Sequence, residues 1–356
     1  MESLNSSSSN DTQGPSPIEF SGTGGEYFKI WIVNILLTII TLGIYSAWAK
    51  VRTNQYFYSN TKLAGGVFNY HAKPMTILIG RMIAIGIFVI YSLLAEVSVV
   101  LAGILGLTLF VLMPWIIVRS MIFQARNTSF RNIRFDFNPA YREAAMIMIV
   151  WPFLVVISAG LLIPMLWHRQ VKLVANNMRF GTSEFRANQD SAGPFFSIYF
   201  KLAAVILLIA VAISVFMNFS ILESMIDLFE SNPLFLILAY VVFLVVFLTA
   251  NLLIRAYIVA KTTNLMYSKL TLEKHSFKST LTTGGFFRQY FKHTIYTMLT
   301  LGLYIPWAKV NIVRYRLDNL KVNVAGSLDE FIGRKVEDAS ATGEGLGDMF
   351  EVEVGF

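Results

Sequence analysis

Thr41-Leu42-Gly43-Ile44-Tyr45-Ser46-Ala47-Trp48-Ala49-Lys50-Val51 lies near the start of the chain, and Thr300-Leu301-Gly302-Leu303-Tyr304-Ile305-Pro306-Trp307-Ala308-Lys309-Val310 lies near its end. Eight of the eleven positions are identical. A fainter third copy sits between them. Aligning Gly160 with Gly43 puts Pro164 opposite Pro306, and Asn177 opposite Asn60 and Asn319. A glycine and a proline four residues apart, in otherwise helical apolar sequence, point to a break in a helix rather than a straight span.

The sequence around these copies is strongly apolar. Of 356 residues, 55% are hydrophobic and 14% charged, against about 25% charged in soluble domains. That composition specifies a polytopic membrane protein. Seven apolar segments are visible, at 28–49, 76–96, 97–118, 144–167, 198–219, 234–256 and 287–308, each near the ~20 residues that cross a hydrocarbon core. The net charge of +7 fits basic loops beside membrane helices and comes with no nucleic-acid-binding module. There is no cysteine, which excludes disulfides, thiol catalysis and thiolate metal sites. Residues 1–19, rich in Ser and Asn, read as a disordered tail without the layout of a signal peptide.

Charge decides between two topologies. Seven straight spans would divide the 29 Lys and Arg almost evenly between the two sides, whereas short cytoplasmic loops should hold most of them. If the first, fourth and seventh segments turn back at Gly43, Gly160/Pro164 and Gly302/Pro306, only the turn near Glu96 and the loop Met217–Pro233 face the far side. Neither contains a Lys or Arg. The expected fold is therefore an all-α membrane protein. It has three broken helix elements, re-entrant or interfacial, alternating with two spanning hairpins, and short β-strands on the cytoplasmic side. The competing arrangement keeps seven spans with kinks. The membrane domain covers 20–325, with repeated elements near 24–70, 143–186 and 283–324, and an acidic Gly-containing tail follows at 326–356.

Each apolar element is followed by an Asn and then an alternating stretch. Asn60 leads to Phe68 and Tyr70, Asn127 to Phe135 and Phe137, Asn177 to Phe185, Asn264 to Leu270 and Leu272, and Asn319 to Val324. A period of two in aromatic and β-branched residues is a strand signal, and an Asn past a helix end can adopt the left-handed conformation that stops it. Five helix-stop-strand units are expected, paired into a small sheet.

Gly24-Gly25-Glu26-Tyr27-Phe28, the Thr41–Tyr45 stretch with Trp48-Ala49-Lys50-Val51-Arg52, Tyr56-Phe57-Tyr58 with Asn60-Thr61, and Gly343-Glu344-Gly345-Leu346-Gly347-Asp348-Met349-Phe350 together resemble the YjgN-like family of bacterial inner-membrane proteins, a family of unknown function. The resemblance implies a multi-pass inner-membrane location, with both termini cytoplasmic by the charge argument, and supplies no catalytic residue. Where members of that family commonly carry Pro before the first Trp, this chain has Ala47.

No catalytic motif, cofactor signature or metal-ligand spacing is present, and the four histidines are not paired as ligands would be. An enzyme is not expected. The residues singled out are those that recur between copies: Gly43, Tyr45, Trp48 and Lys50; Gly160 and Pro164; Gly302, Tyr304, Pro306, Trp307 and Lys309; the Asn residues 60, 127, 177, 264 and 319; and Arg119 with Arg255. Cations at the ends of apolar runs ordinarily snorkel to headgroups. Lys50 and Lys309, in matching positions beside broken helices, could instead hold an anionic solute or lipid headgroup. Two functions follow from this. One is a small-solute transporter or permease with its site at interrupted helices; the other is a non-transporting membrane scaffold whose basic face binds anionic lipid. Polar residues in the hairpins are few, which weighs against a wide aqueous path.

Overall fold

The computed structural model describes residues 15–217 and 233–325. The chain is not all-α. Its centre is a closed antiparallel barrel of ten short strands. The acidic tail 326–356 and most of the Met217–Pro233 loop lie outside the described residues.

Helix pairs and strand pairs alternate along the chain. The first pair is α1 (Gly24–Ile40) and α2 (Ser46–Ser59), followed by β2 (Thr61–Leu63) and β3 (Gly66–Tyr70). The second is α3 (Pro74–Val97) and α4 (Val99–Arg126), followed by β4 (Thr128–Phe130) and β5 (Ile133–Phe137). The third begins with α5 (Tyr141–Ala145), a π-helical turn (Met146–Val150) and α6 (Trp151–Ile157). It returns through α7 (Ile163–Asn177) to β6 (Met178–Phe180) and β7 (Ser183–Ala187). The fourth is α8 (Gly193–Met217) and α9 (Pro233–Lys269), with β8 (Leu270–Leu272) and β9 (His275–Ser279). The fifth is α10 (Thr283–Leu299) and α11 (Ile305–Asp318), with β10 (Leu320–Asn323). The missing partner of β10 comes from the other end: β1 (Pro15–Phe20) pairs with both β10 and β2. The tail expected over 1–19 therefore gives way at Pro15 to the strand that closes the barrel.

Short strands hold together here because each of the five seams whose strands flank a helix pair carries one inward pair. Ile18 faces Leu63, Phe68 faces Phe130, Phe135 faces Phe180, Phe185 faces Leu272, and Phe277 faces Val322. Phe68 and Phe130 meet at 4.7 Å between ring centres, Phe135 and Phe180 at 5.0 Å. Such aromatic pairs contribute about 0.5–1.5 kcal/mol beyond their burial. The alternate residues point outward and are polar, among them Lys62, Arg134, Arg179, Arg186, Lys278 and Lys321. Tight hairpins join the strands, with positive φ at Ala64 and Gly65 and at Arg131 and Asn132, the twist that two-residue antiparallel turns require.

One hydrogen bond recurs at each of the five seams whose strands flank a helix pair. The first N–H after an odd-numbered strand donates to the last carbonyl before the neighbouring even-numbered one. Ser21 donates to Asn60 (3.0 Å), His71 to Asn127 (2.8 Å), Asn138 to Asn177 (2.8 Å), Asn188 to Lys269 (2.9 Å) and Thr280 to Asn319 (2.9 Å). The units are thereby latched in a ring, and each helix pair leaves and rejoins the same barrel. Strands flanking a single straight span could not meet in this way, which is the structural objection to seven spans.

The pairs fall into two lengths. Among the described residues four helices are long and apolar enough to cross a membrane, namely α3, α4, α8 and α9. The entering arms of two of the other three pairs are capped at the barrel end, whereas α5 of the third has no side-chain cap. Thr23 and Thr282 accept from the N–H groups of Glu26 and Gly285, so two of the donors left open at a helix start are satisfied. The π-helical turn precedes Pro152, which has no N–H and crowds the carbonyl four residues back; widening the helix relieves both.

Candidate functional site

The three short pairs turn by one geometry. Leu42, Ala159 and Leu301 have φ near +50°, and the glycines after them have φ of +94°, +87° and +93°. Glycine reaches this region without a Cβ penalty, which is why Gly43, Gly160 and Gly302 mark the tips. In each, the glycine N–H returns five residues, to Thr38 (2.7 Å), Val155 (2.8 Å) and Thr297 (2.8 Å). A hydroxyl then bridges the two arms. Thr41 Oγ1 donates to Leu37 O and accepts from Tyr45 N–H, and Thr300 does the same with Tyr296 and Tyr304. Ser158 serves the third turn, donating to Val155 O and accepting from Leu162 N–H.

The prolines do not make the turns. Pro164 and Pro306 sit in the first turn of α7 and α11, where a missing N–H costs nothing, and both are fully buried. Ala47, equally buried, fills that place in the first pair, whose turn is the same without a proline. Beyond the tip, Tyr45 stacks on Trp48 (6.1 Å, 12°) as Tyr304 stacks on Trp307 (5.8 Å, 15°).

The asparagines act differently from expectation. Asn60, Asn127 and Asn319 have φ of −90°, −86° and −94°, so none is left-handed. Each of them, with Asn177, donates Nδ2 at 2.8 Å to the carbonyl four residues earlier. The carbonyls of Tyr56 and Phe123 also accept the backbone N–H of Asn60 and Asn127, so there the side chain adds a second donor to a carbonyl of the last turn. Asn264 is out of register. It lies inside α9, five residues before Lys269, and clips the approach to α10 through Leu281 O, Ser279 Oγ and Leu281 N–H. Arg119 and Arg255 are not equivalent either. They precede the ends of their helices by seven and fourteen residues, and they lie over Trp115 and Tyr290 respectively.

Lys50 and Lys309 do come together. Closing the ring puts the fifth pair beside the first, and both lysines line a cleft of about 400 Å³ between α1, α2 and α11. Tyr27, Trp31, Ile35 and Ile39 provide apolar walls, and Asn34, Thr38, Ser46, Thr53 and Asn54 provide polar groups. No carboxylate lines it, and neither lysine forms an ion pair with a described residue. Asn34 is buried, donates to Ala49 O at 3.4 Å, and has no partner for its Oδ1. A third cation reaches the rim: Arg81 of α3 hydrogen-bonds Ser46 Oγ. Arg81 was not singled out in the sequence, although it is the only charged side chain within the first twenty residues of α3. The chemistry of this set is that of an anion held at the edge of an apolar surface.

The interior of the barrel is chemically unlike the cleft. Its lining is almost wholly apolar, and about 80 Å³ is left unfilled. His168, His275 and His293 are buried, and among the described residues no group of His, Asp and Glu is placed to hold a metal.

The sequence matches the family model described as bacterial protein of unknown function (DUF898) over residues 15–349. A Salmonella typhimurium protein named inner membrane protein YjgN is 26% identical, over 87% of this chain and 88% of its own length. Proteins of the same name from Escherichia coli O157:H7 and Escherichia coli K12 are 33% and 32% identical, each over 40% of this chain and 36% of the relative. No solved structure matches.

Proposed function

Because the chain belongs to the DUF898 family of bacterial proteins of unknown function, we propose that it is a multi-pass inner-membrane protein whose α1–α2–α11 cleft binds the headgroup of an anionic phospholipid. The observation that carries this reading is the meeting of Lys50 and Lys309 in one cleft with apolar walls and no carboxylate. A phosphate would gain two cations there, with hydroxyl and amide groups beside them, while acyl chains lie along the exposed apolar face of α1. Charge-assisted hydrogen bonds of this kind are about twice as strong as neutral ones.

Transport is supported less well. A permease needs a polar path, and the barrel interior is apolar. The long hairpins α3–α4 and α8–α9 make no extensive contact with each other that would enclose one.

Location rests on the names of the relatives and on the four long apolar helices. We place the barrel and the described chain ends on the cytoplasmic side, since residues 82–118 and 202–254 contain no Lys or Arg and cytoplasmic loops concentrate them. A reporter fused after Gln189 should read cytoplasmic; a periplasmic readout refutes the orientation. The headgroup site is tested by native mass spectrometry of the detergent-purified protein. Wild type should retain anionic phospholipid through detergent exchange, and Lys50→Ala with Lys309→Ala should retain severalfold less at unchanged circular dichroism. Equal retention by that variant refutes the site.

A further inference from the structure

We infer that the three short hairpins occupy only the barrel-side leaflet of the bilayer, which makes the protein a wedge that prefers, and favours, curved membrane. The first support is exposure at the tips. Leu42 is 94% exposed, Ile157 81% and Leu301 95%, all near the middle of charge-free runs (30–49, 144–168 and 293–308). Large apolar side chains presented so fully at the end of a helical hairpin have lipid, not water, as their solvent.

The second support is independent and lies in the backbone. Irregular chain is tolerated at membrane depth only where its polar groups are satisfied. Every N–H from Thr41 to Ala47 has a partner within the hairpin, and so does every N–H from Ser158 to Ile163 and from Thr300 to Ile305. The residue after the latter two stretches is proline, which has none to satisfy. A loop in water has no need of this completeness.

Depth follows from helix rise. Lys50 and Lys309 stand seven residues from Gly43 and Gly302, so the tips reach ~10 Å beyond the last cation on the returning arm. The arms that enter carry longer charge-free runs, giving ~14–24 Å. Half of a hydrocarbon core of about 30 Å is about 15 Å. The long helices, with 24 to 37 residues, extend ~36–56 Å and cross it entirely.

The barrel-side leaflet thus contains ten helical arms and the far leaflet four. With a helix diameter of about 10 Å, six extra arms displace about 500 Å² of lipid on one side only. Area inserted into one leaflet bends the membrane so that this leaflet becomes convex. The inference does not depend on the lysine cleft.

The test uses the full-length protein reconstituted into vesicles of one lipid composition and mixed diameters. With the barrel outward, protein per membrane area should be severalfold higher on the smallest vesicles than on the largest, and the order should reverse with the barrel inward. Density independent of diameter overturns the proposal. Since the chain has no cysteine, a spin label at Leu301→Cys reports depth directly. It should collide with lipid-soluble oxygen and not with a water-soluble nickel chelate added to either side. Reaction of that cysteine with an impermeant thiol reagent from either side equally overturns the proposal.

Discussion

The indole of Trp307 lies where a side chain at Gly24 would have to be: a Cβ there would stand 2.2 Å from Trp307 Cδ1. Trp307 is held in turn by Tyr304 and by Phe28, 5.0 Å away, so it has little room to withdraw. This contact joins the fifth helix pair to the first, beside the cleft.

Gly24→Ala should therefore destabilise by about 1–3 kcal/mol, the usual cost of overpacking, with Trp307→Phe recovering part of the loss. Gly25, whose Cβ would meet open space, is the control, and Gly25→Ala should be neutral or slightly stabilising. Thermal unfolding in detergent measures both.

At the tips the constraint is conformational rather than steric, since nothing lies within 4 Å of a Cβ at Gly43. Gly43→Ala should cost about 1 kcal/mol or more, because its φ is positive. Leu42→Gly should work in the opposite sense, relieving a leucine held at φ 49° by about 1–2 kcal/mol. Equal effects of the two substitutions on unfolding would contradict the assigned turn.

The asparagines divide by the number of bonds each makes. Asn127→Ala and Asn177→Ala lose the bond to the preceding turn, about 0.5–1.5 kcal/mol each. Asn60→Ala and Asn319→Ala should cost more, because Oδ1 also accepts from Ser21 and Thr280 across the seam. Hydrogen exchange should show faster opening of β1 and β10 in these two variants only.

Acid should loosen the start of α1. Hydrogen bonds from Thr23, its side chain first and then its backbone N–H, with Tyr56 adding a third, hold the Glu26 carboxyl below the usual carboxylate range. A lowered folded-state value gives stabilisation that is complete above the unfolded value and disappears as pH falls through the folded one. Unfolding temperature should decline across that acidic window in wild type, and Glu26→Gln should flatten the decline. An unchanged profile in Glu26→Gln would remove the carboxylate as its cause.

Several of these features are legible in the chain itself. Glycine spacing locates the three turns because only glycine takes their φ without strain, and the period-two stretches locate strands. Barrel closure is not legible. Its strands are three to six residues long, too short to outweigh the helical signal, and its last seam joins Pro15 to Asn323. The register of Asn264 fails for a related reason: α9 runs 37 residues, so a motif counted from its apolar start misses its true end at Lys269. Lys50 and Lys309 can be matched by sequence, but their shared cleft follows only from the ring.

That ring has a consequence for synthesis. Strand β1 emerges among the first residues and finds β2 within about forty more, but its other edge stays unpaired until β10 has been made, some 300 residues later. For all that time a nascent chain in the membrane exposes two open strand edges to its surroundings, a standing invitation to wrong pairing. A ribosome stalled anywhere before Leu320 leaves an open sheet, and the lysine cleft, built from the first and last helix pairs, is completed at the same late moment. Binding there would report that the ring has closed.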